Sequence, residues 1–196
     1  MAREIEIKIQ IQGGLEELFA IFDKLSSLGA KWTGREKLKD TYYEGTLLGQ
    51  SESLRIREVW RTGDVERGFA WRNPQLCFKR KFDENSNQSG IKDRTELECS
   101  IYEREDIVPI LEALGFVETV VVNKQRRTCE IDGCNVMLDD LYKGFGQFVE
   151  IEGPSDEAVK TLMEKLDIEG DVVQYRSAAH IRKDHVAERY GAGYIA

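Results

Sequence analysis

Glu4-Ile5-Glu6-Ile7-Lys8 alternates charged and apolar residues without a break. A period of two means a β-strand, because successive side chains point to opposite faces. One face carries Glu4, Glu6 and Lys8, and the other carries Ile5, Ile7 and Ile9. Alone, this is a half-buried strand with a wet face. The same spacing returns in Leu54-Arg55-Ile56-Arg57, Cys77-Phe78-Lys79, Arg94-Thr95-Glu96-Leu97-Glu98, Lys124-Gln125-Arg126 and Val149-Glu150-Ile151-Glu152. With Asp139, which follows Val136-Met137-Leu138, the set holds seven acidic and seven basic residues, clustered by sign strand by strand. Faces that look into water need no such clustering. Faces that look into a closed sheet would line a cavity with separate carboxylate and cationic patches, which suits a metal ion bound to a polyanion.

Composition sets the frame. The chain has 196 residues, 41% hydrophobic and 33% charged, and is read as one domain over 1–196 with a core over about 2–170. A net charge of −8 argues against nucleic acid or an anionic membrane surface as partner, since both call for a basic surface. No apolar run approaches a membrane span and no signal-peptide core opens the chain. Cys77, Cys99, Cys129 and Cys134 form no CxxC pair, so reduced, half-buried thiols and a cytoplasmic location are expected.

Taken in order, the first strand is broken at Gly13-Gly14. Leu15, Leu18, Phe19, Phe22, Leu25 and Leu28 then follow helical spacing up to Gly29, a natural C-terminal stop. Strands are expected over 37–43, 54–60 and 75–82. Turn signals at Thr62-Gly63-Asp64 and Arg72-Asn73-Pro74 make 61–74 a hairpin tip or an exposed loop. The polar stretch 83–90 reads as a mobile connection. The second half repeats the plan: a strand over 94–100, then a helix through Ile107, Ile110, Leu111 and Leu114 stopped by Gly115. Pro109 blurs that helix's start. Strands follow over 117–122, 125–131, 136–141 and 147–151, with Asp132-Gly133 as a hairpin turn. Ser155 caps a third helix, and a last one is expected over 175–189. His180 and His185, five apart on that helix, do not share a face and make no metal pair. The reading is an α+β fold: two pseudo-duplicated β-α-β-β halves whose eight or so antiparallel strands close into a barrel wide enough for one small ligand.

With its charged strands in this order, the chain resembles the CYTH family, the triphosphate tunnel metalloenzymes. The family includes class IV adenylyl cyclases, thiamine triphosphatases and inorganic triphosphatases. The residues that carry the resemblance are the ExExK of Glu4 to Lys8, Arg55 and Arg57, Lys79, Glu96 and Glu98, Lys124 and Arg126, Asp139, and Gly146 to Glu152. The resemblance implies a closed antiparallel tunnel. It implies that Glu4, Glu6, Glu150 and Glu152 bind a divalent metal and that Lys8, Arg55, Arg57, Lys79, Lys124 and Arg126 grip phosphates. Glu96 and Glu98 would complete an acidic wall with Asp139, and Glu4, Glu6, Lys8 and Asp139 would take part in the chemistry itself. Three features depart from the family pattern: Glu44 stands where Asp is common, Phe145-Gly146 replaces Leu-Gly, and the tail Gln174-Tyr175-Arg176-Ser177-Ala178-Ala179 only loosely resembles the family's Tyr-containing end.

The physical case runs alongside. Carboxylates two apart on a strand lie about 6.6 Å apart. Two such pairs face to face suit a hard cation, and oxygen-only ligation points to Mg²⁺ or Mn²⁺. Guanidinium forks suit phosphate, and lysines act as point charges. No Ser-His-Asp set, Cys-His pair or P-loop is present, so the chemistry rests on metal and charge. The substrate expected is a small triphosphate: ATP, thiamine triphosphate or tripolyphosphate. Hydrolysis leads, because it asks for fewer recognition elements. Cyclisation of ATP to cyclic AMP and pyrophosphate is the alternative, with Tyr42, Tyr43, Trp60, Trp71 and Phe82 as candidates for an adenine rim. A non-catalytic polyphosphate- or nucleotide-binding module is the third reading. The sequence leaves the oligomeric state open, a homodimer included.

Overall fold

In the computed structural model, residues 2–49, 52–62, 69–81, 90–142, 145–168 and 171–172 are described. The element order is β1 (Ala2–Ile11), α1 (Gly14–Ser27), β2 (Lys31–Glu44), β3 (Ser53–Thr62), β4 (Phe69–Lys81), β5 (Lys92–Ser100), α2 (Arg104–Ala113), β6 (Val117–Ile131), β7 (Cys134–Leu141), β8 (Gln147–Gly153), α3 (Asp156–Leu166) and β9 (Asp171–Val172). The sheet runs β5-β4-β3-β2-β6-β7-β8-β1, and β5 also pairs with β1, which closes eight strands into a barrel. All the pairings are antiparallel. β9 pairs with β1 at Ile9 and Gln10, beyond the stretch of that edge taken by β5. Each half is a strand, a helix and three further strands, so the duplicated plan holds with one strand more per half than the β-α-β-β shorthand.

The usual apolar interior is turned inside out. Ile5, Ile7, Ile9 and Ile11 of β1 point outward, where Leu18, Ile21 and Leu25 of α1 and Val159, Leu162 and Leu166 of α3 bury them. On the other side Tyr43, Leu54 and Ile56 pack with Leu111 of α2 and with Phe116. The helices therefore cover the wall, and alternation sends the charged faces into the lumen. A third cluster is internal: Tyr42, Val120, Val122, Leu141 and Phe148 share the inward parity of Asp40, Lys124, Asp139 and Glu150 and fill part of the lumen.

Several element boundaries differ from the expectation. β2 begins at Lys31 rather than at 37, because an irregularity between Trp32 and Gly34 lets pairing with β6 continue. The strands expected over 117–122 and 125–131 are one strand, since Asn123 and Lys124 stay in register with Lys39 and Leu38. The Arg72-Asn73-Pro74 signal marks no turn. It marks a one-residue irregularity inside β4, between the pairs Arg57–Gln75 and Val59–Arg72. There the missing N–H of Pro74 breaks no ladder bond, and its carbonyl accepts from the Ile101 N–H at 2.8 Å. Pro109 lies in the second turn of α2, which starts at Arg104; the residue is exposed, so water can take the carbonyl it leaves free. The Asp132-Gly133 hairpin is as expected, with φ of 51° and 76°. So is the Ser155 cap, whose side chain accepts from the Ala158 N–H. Cys77, Cys129 and Cys134 are buried free thiols, but Cys99 is exposed. The helix expected over 175–189, with both histidines, lies outside the described residues, as do the stretch 83–89 and Phe82.

Candidate functional site: a charged lumen

Strand parity and closure bring together residues from all eight strands. The lumen holds a cavity of about 350 Å³, at the small end of ligand pockets (roughly 300–1,000 Å³). Its lining contains Glu4, Glu6 and Lys8 from β1, Arg55 and Arg57 from β3, Lys79 from β4, Glu96 and Glu98 from β5, Lys124 and Arg126 from β6, and Glu150 and Glu152 from β8. All the expected site residues except Asp139 therefore share one cavity wall. Asp139 points into the barrel and is fully buried there. It accepts from Lys124 Nζ at 2.6 Å and from Arg126 Nε and Nη2, each at 2.6 Å. It clamps two cations of the site, Lys124 and Arg126, from a fully buried position.

The carboxylates and cations already satisfy one another in part. Lys79 donates to both oxygens of Glu4, at 2.8 and 2.6 Å, and lies 3.1 Å from Glu96. Lys8 and Arg126 both pair with Glu150. Arg57 makes a two-pronged contact with Asp40, at 2.7 and 2.8 Å, and Lys92 stands 3.8 Å from Glu6. Lys8 Nζ also lies 5.1 Å from the centre of the Phe148 ring. Among the described residues of the cavity lining, two features are left wanting. Arg55 Nε is buried without a hydrogen-bond partner, an unmet donor on the cavity wall. Glu6 and Glu152 are direct cross-strand partners, and like charges in that position repel.

The titration of these groups follows from crowding. Burial, with Glu6 and Glu96 close by, raises the Glu4 carboxyl to about 7 in spite of Lys79. Burial raises Glu152 as well, with help from Glu6, Glu96 and Glu150. Burial pushes Glu6 up too, but Lys79, Lys92 and Arg94 together keep it below the ordinary value. Arg126 and Lys8 hold Glu150 well below it. Burial pulls Lys92 and Lys124 each down to about 8. Cys77, which donates to Glu98 at 3.2 Å, is raised to about 11 by burial and stays a thiol.

The donor chemistry fits a hard divalent cation: oxygen ligands only, crowded carboxylates, and a like-charge pair that a cation would relieve. Among the described residues, no three acidic, imidazole or thiol groups converge as a ready-made cage, because lysines and arginines occupy Glu4 and Glu150.

Some site residues were not found from the sequence. Asp40, fully buried against Arg57 and 3.7 Å from Arg55, lies in a strand whose charges fall on both faces and so hide the inward set. Lys92 has the parity of Arg94, Glu96 and Glu98, but the strand was expected to begin two residues later. Of the aromatic rim candidates, Tyr42 lines the cavity and its hydroxyl accepts from Arg55 at 3.5 Å. Tyr43 faces the outer core, Trp60 is not in the lining, and the side chain of Trp71 lies outside the described residues.

A closed barrel with its charge indoors defines the class, and the comparisons give it a family. A sequence model of the CYTH domain matches residues 2–179, and the chain belongs to the CYTH family. Members of that family are metal-dependent enzymes that bind triphosphate substrates such as ATP. A Methanocaldococcus jannaschii protein provisionally named an adenylate cyclase is 25% identical over 189 residues, covering 95% of this chain and 94% of its own. The solved structure of the PH1819 protein of Pyrococcus horikoshii is 27% identical with a TM-score of 0.70, covering 93% of this chain and 99% of that one. A Vibrio parahaemolyticus structure, also provisionally named an adenylate cyclase, shares the fold with a TM-score of 0.65 at 18% identity, over 91% and 97% of the two chains. No described helix is long and apolar enough to cross a membrane.

Proposed function

We propose that this protein is a divalent-metal-dependent phosphohydrolase that cleaves a triphosphate bound in the lumen. One observation carries the reading: a single cavity joins an opposed carboxylate pair, Glu6 and Glu152, to a set of cations that includes Arg55, whose buried Nε has no hydrogen-bond partner. Arg55, Arg57, Lys79, Lys124, Arg126 and Lys8 hold the phosphate oxygens. Arginines offer forked donors and lysines mobile point charges, so the chain neutralises a polyanion without covalent chemistry. Asp40 and Asp139 fix Arg57, Arg126 and Lys124 before substrate arrives, which spares the reaction that ordering cost. Glu4, Glu6, Glu150 and Glu152 would hold Mg²⁺ or Mn²⁺, which when bound supplies charge neutralisation at the reacting phosphate. Burial of Glu4, Glu6, Lys8, Lys124 and Glu150 strengthens these interactions.

Hydrolysis is placed first because, among the described lining residues, Tyr42 is the only aromatic one, and Arg55 engages it. The second reading is cyclisation of ATP to cyclic AMP and pyrophosphate, favoured by the provisional name of the M. jannaschii relative. Purified protein given ATP, thiamine triphosphate or tripolyphosphate, each with Mg²⁺ and with Mn²⁺, separates them by product. Free phosphate supports the first reading, and cyclic AMP with pyrophosphate replaces it by the second. Tight binding without product makes the lumen a binding module.

A further inference from the structure

The outer wall of the barrel carries two exposed patches of opposite sign. The first is basic. Arg35 and Lys37 of β2 have the outward parity of Tyr43, and both are exposed. Arg35 stands directly across from Arg127 of β6, so like charges are opposed here too. In a chain of net charge −8, this strip is a local reversal of sign. A groove of about 200 Å³ runs along its edge, lined by Leu15, Phe19 and Phe22 of α1, Leu138 of β7 and both arginines. The Arg127 guanidinium lies over the Phe22 ring, 4.8 Å from its centre, which fixes it at the groove's edge. Leu15 and Phe19, four apart and so on one helix face, are 47% and 52% exposed. The second patch is acidic and lies on α2. Glu103, Asp106, Ile110 and Leu114 follow one side of that helix at spacings of three and four. All four are exposed, Ile110 and Leu114 at 54% each, and this side faces away from Ile107 and Leu111, which pack on the wall.

We infer that two copies of this chain associate through these patches, with α2 of each lying along the groove between α1 and β2 of the other. Each patch mixes half-exposed apolar side chains with charge of one sign, and the two signs are opposite. One strand places both on the same wall: β2 carries Arg35 and, eight residues or about 26 Å further on, the Tyr43 against which α2 packs. A two-fold axis can therefore satisfy both contacts at once, since residue i meets j and j meets i. Glu103 and Asp106 then face Arg35, Lys37 and Arg127, which sets the register of the pair. Ile110 and Leu114 cover Leu15 and Phe19, which takes apolar surface out of water at the centre of the contact. The occupant is a second copy because the chain itself carries both halves of the match.

Sedimentation velocity of the full chain over a range of concentrations tests this. Wild type is expected to pass from monomer to dimer, and salt at about 0.5 M to weaken the dimer about tenfold or more relative to about 0.05 M. Arg35→Glu with Lys37→Glu should weaken it about tenfold or more, and so should Glu103→Lys with Asp106→Lys, since like charges then meet. Mixing the two variants should restore a dimer to within about threefold of wild type, because each acidic face again meets a basic one. A variant that had merely lost its fold would not be rescued in this way, and the salt series on wild type then decides. Wild type that stays a monomer, a dimer indifferent to salt or to both reversals, or folded variants that mixing does not rescue overturns the proposal. Binding of monomeric wild type to duplex DNA or to phosphatidylserine vesicles, lost in Arg35→Glu with Lys37→Glu, overturns it as well and assigns the strip to that anion.

Discussion

The residue that decides most here is Glu152, since it faces Glu6 across two strands with no described cation bonded to it. Glu152→Gln removes one charge of a like-charge pair, so the fold should tolerate it while metal-dependent turnover falls about a hundredfold or more. An unchanged melting temperature beside an unchanged Mg²⁺-dependent rate would take the residue out of the metal site. Asp139 is the opposite case. It is fully buried between Lys124 and Arg126, and Asp139→Asn strands those two cations. Breaking a buried pair costs about 3–5 kcal/mol. We expect that loss in denaturant unfolding, with a weaker hold on tripolyphosphate beside it. Lys124 gives the pH test. Burial, and then Arg126, lowers it from 10.5 to about 8. Its charged form is therefore disfavoured in the folded protein relative to the unfolded chain. That costs stability below about pH 8, and the cost fades as pH rises towards the ordinary lysine value. Bound triphosphate draws the proton back. Affinity should thus fall as pH rises above about 8, with proton uptake on binding seen by calorimetry in buffers of different ionisation heat. Lys124→Met should shrink both effects without abolishing them, since Lys92 titrates in the same window.

At the scale of the element, alternation made the charged strands readable, because period two assigns a face to every residue once one is known to point inward. Glu4, Arg55, Arg126 and Glu150 came out of the sequence on that rule alone. Asp40 did not, because β2 carries Arg35, Lys37 and Lys39 on the other parity and no contrast remains. Nor was it legible that Asp139 is fully buried and outside the cavity lining, since parity tells which way a side chain points and nothing of how far it is overlaid. An irregularity takes the form of a boundary for a related reason: Arg72-Asn73-Pro74 has turn chemistry, but Arg72 pairs with Val59 of β3 and the Pro74 carbonyl accepts from Ile101 just after β5. Helix docking leaves its own mark at Gly153, the last residue of β8. A Cβ there would meet Val159 Cγ2 at 2.9 Å and Cys134 Sγ at 3.0 Å. Gly153→Ala should force α3 off the wall at a cost of about 1–3 kcal/mol, the usual range for overpacking. A shift in the urea midpoint at constant slope would measure it, and no shift would show that α3 yields freely.

For the whole molecule, the lumen works as an ion-pair store. Lys79 occupies Glu4, and Lys8 with Arg126 occupies Glu150, so the carboxylates a metal needs are held by the cations a triphosphate needs. Each ligand releases partners for the other, and the two should bind with positive coupling. Calorimetry is expected to show weak Mn²⁺ binding by itself and binding strengthened about tenfold or more by a saturating non-hydrolysable triphosphate, with the reciprocal gain when the order is reversed. Independent affinities would mean that the resting pairs do not compete with either ligand.

The seam of the barrel has a temporal consequence. Among the described residues, β1 pairs only with β5, which begins at Lys92, with β8, which ends at Gly153, and with the two residues of β9. β1 is synthesised before these partners and is therefore among the last of the described strands that can be seated. At roughly 5–20 residues per second of synthesis, it waits on the order of ten seconds with its edges unpaired. Its alternating acids and lysine keep that waiting edge poorly suited to pairing with a neighbour chain, as charged edges do in other sheets. The charges that furnish the finished cavity thus also guard the nascent chain before there is a cavity to furnish.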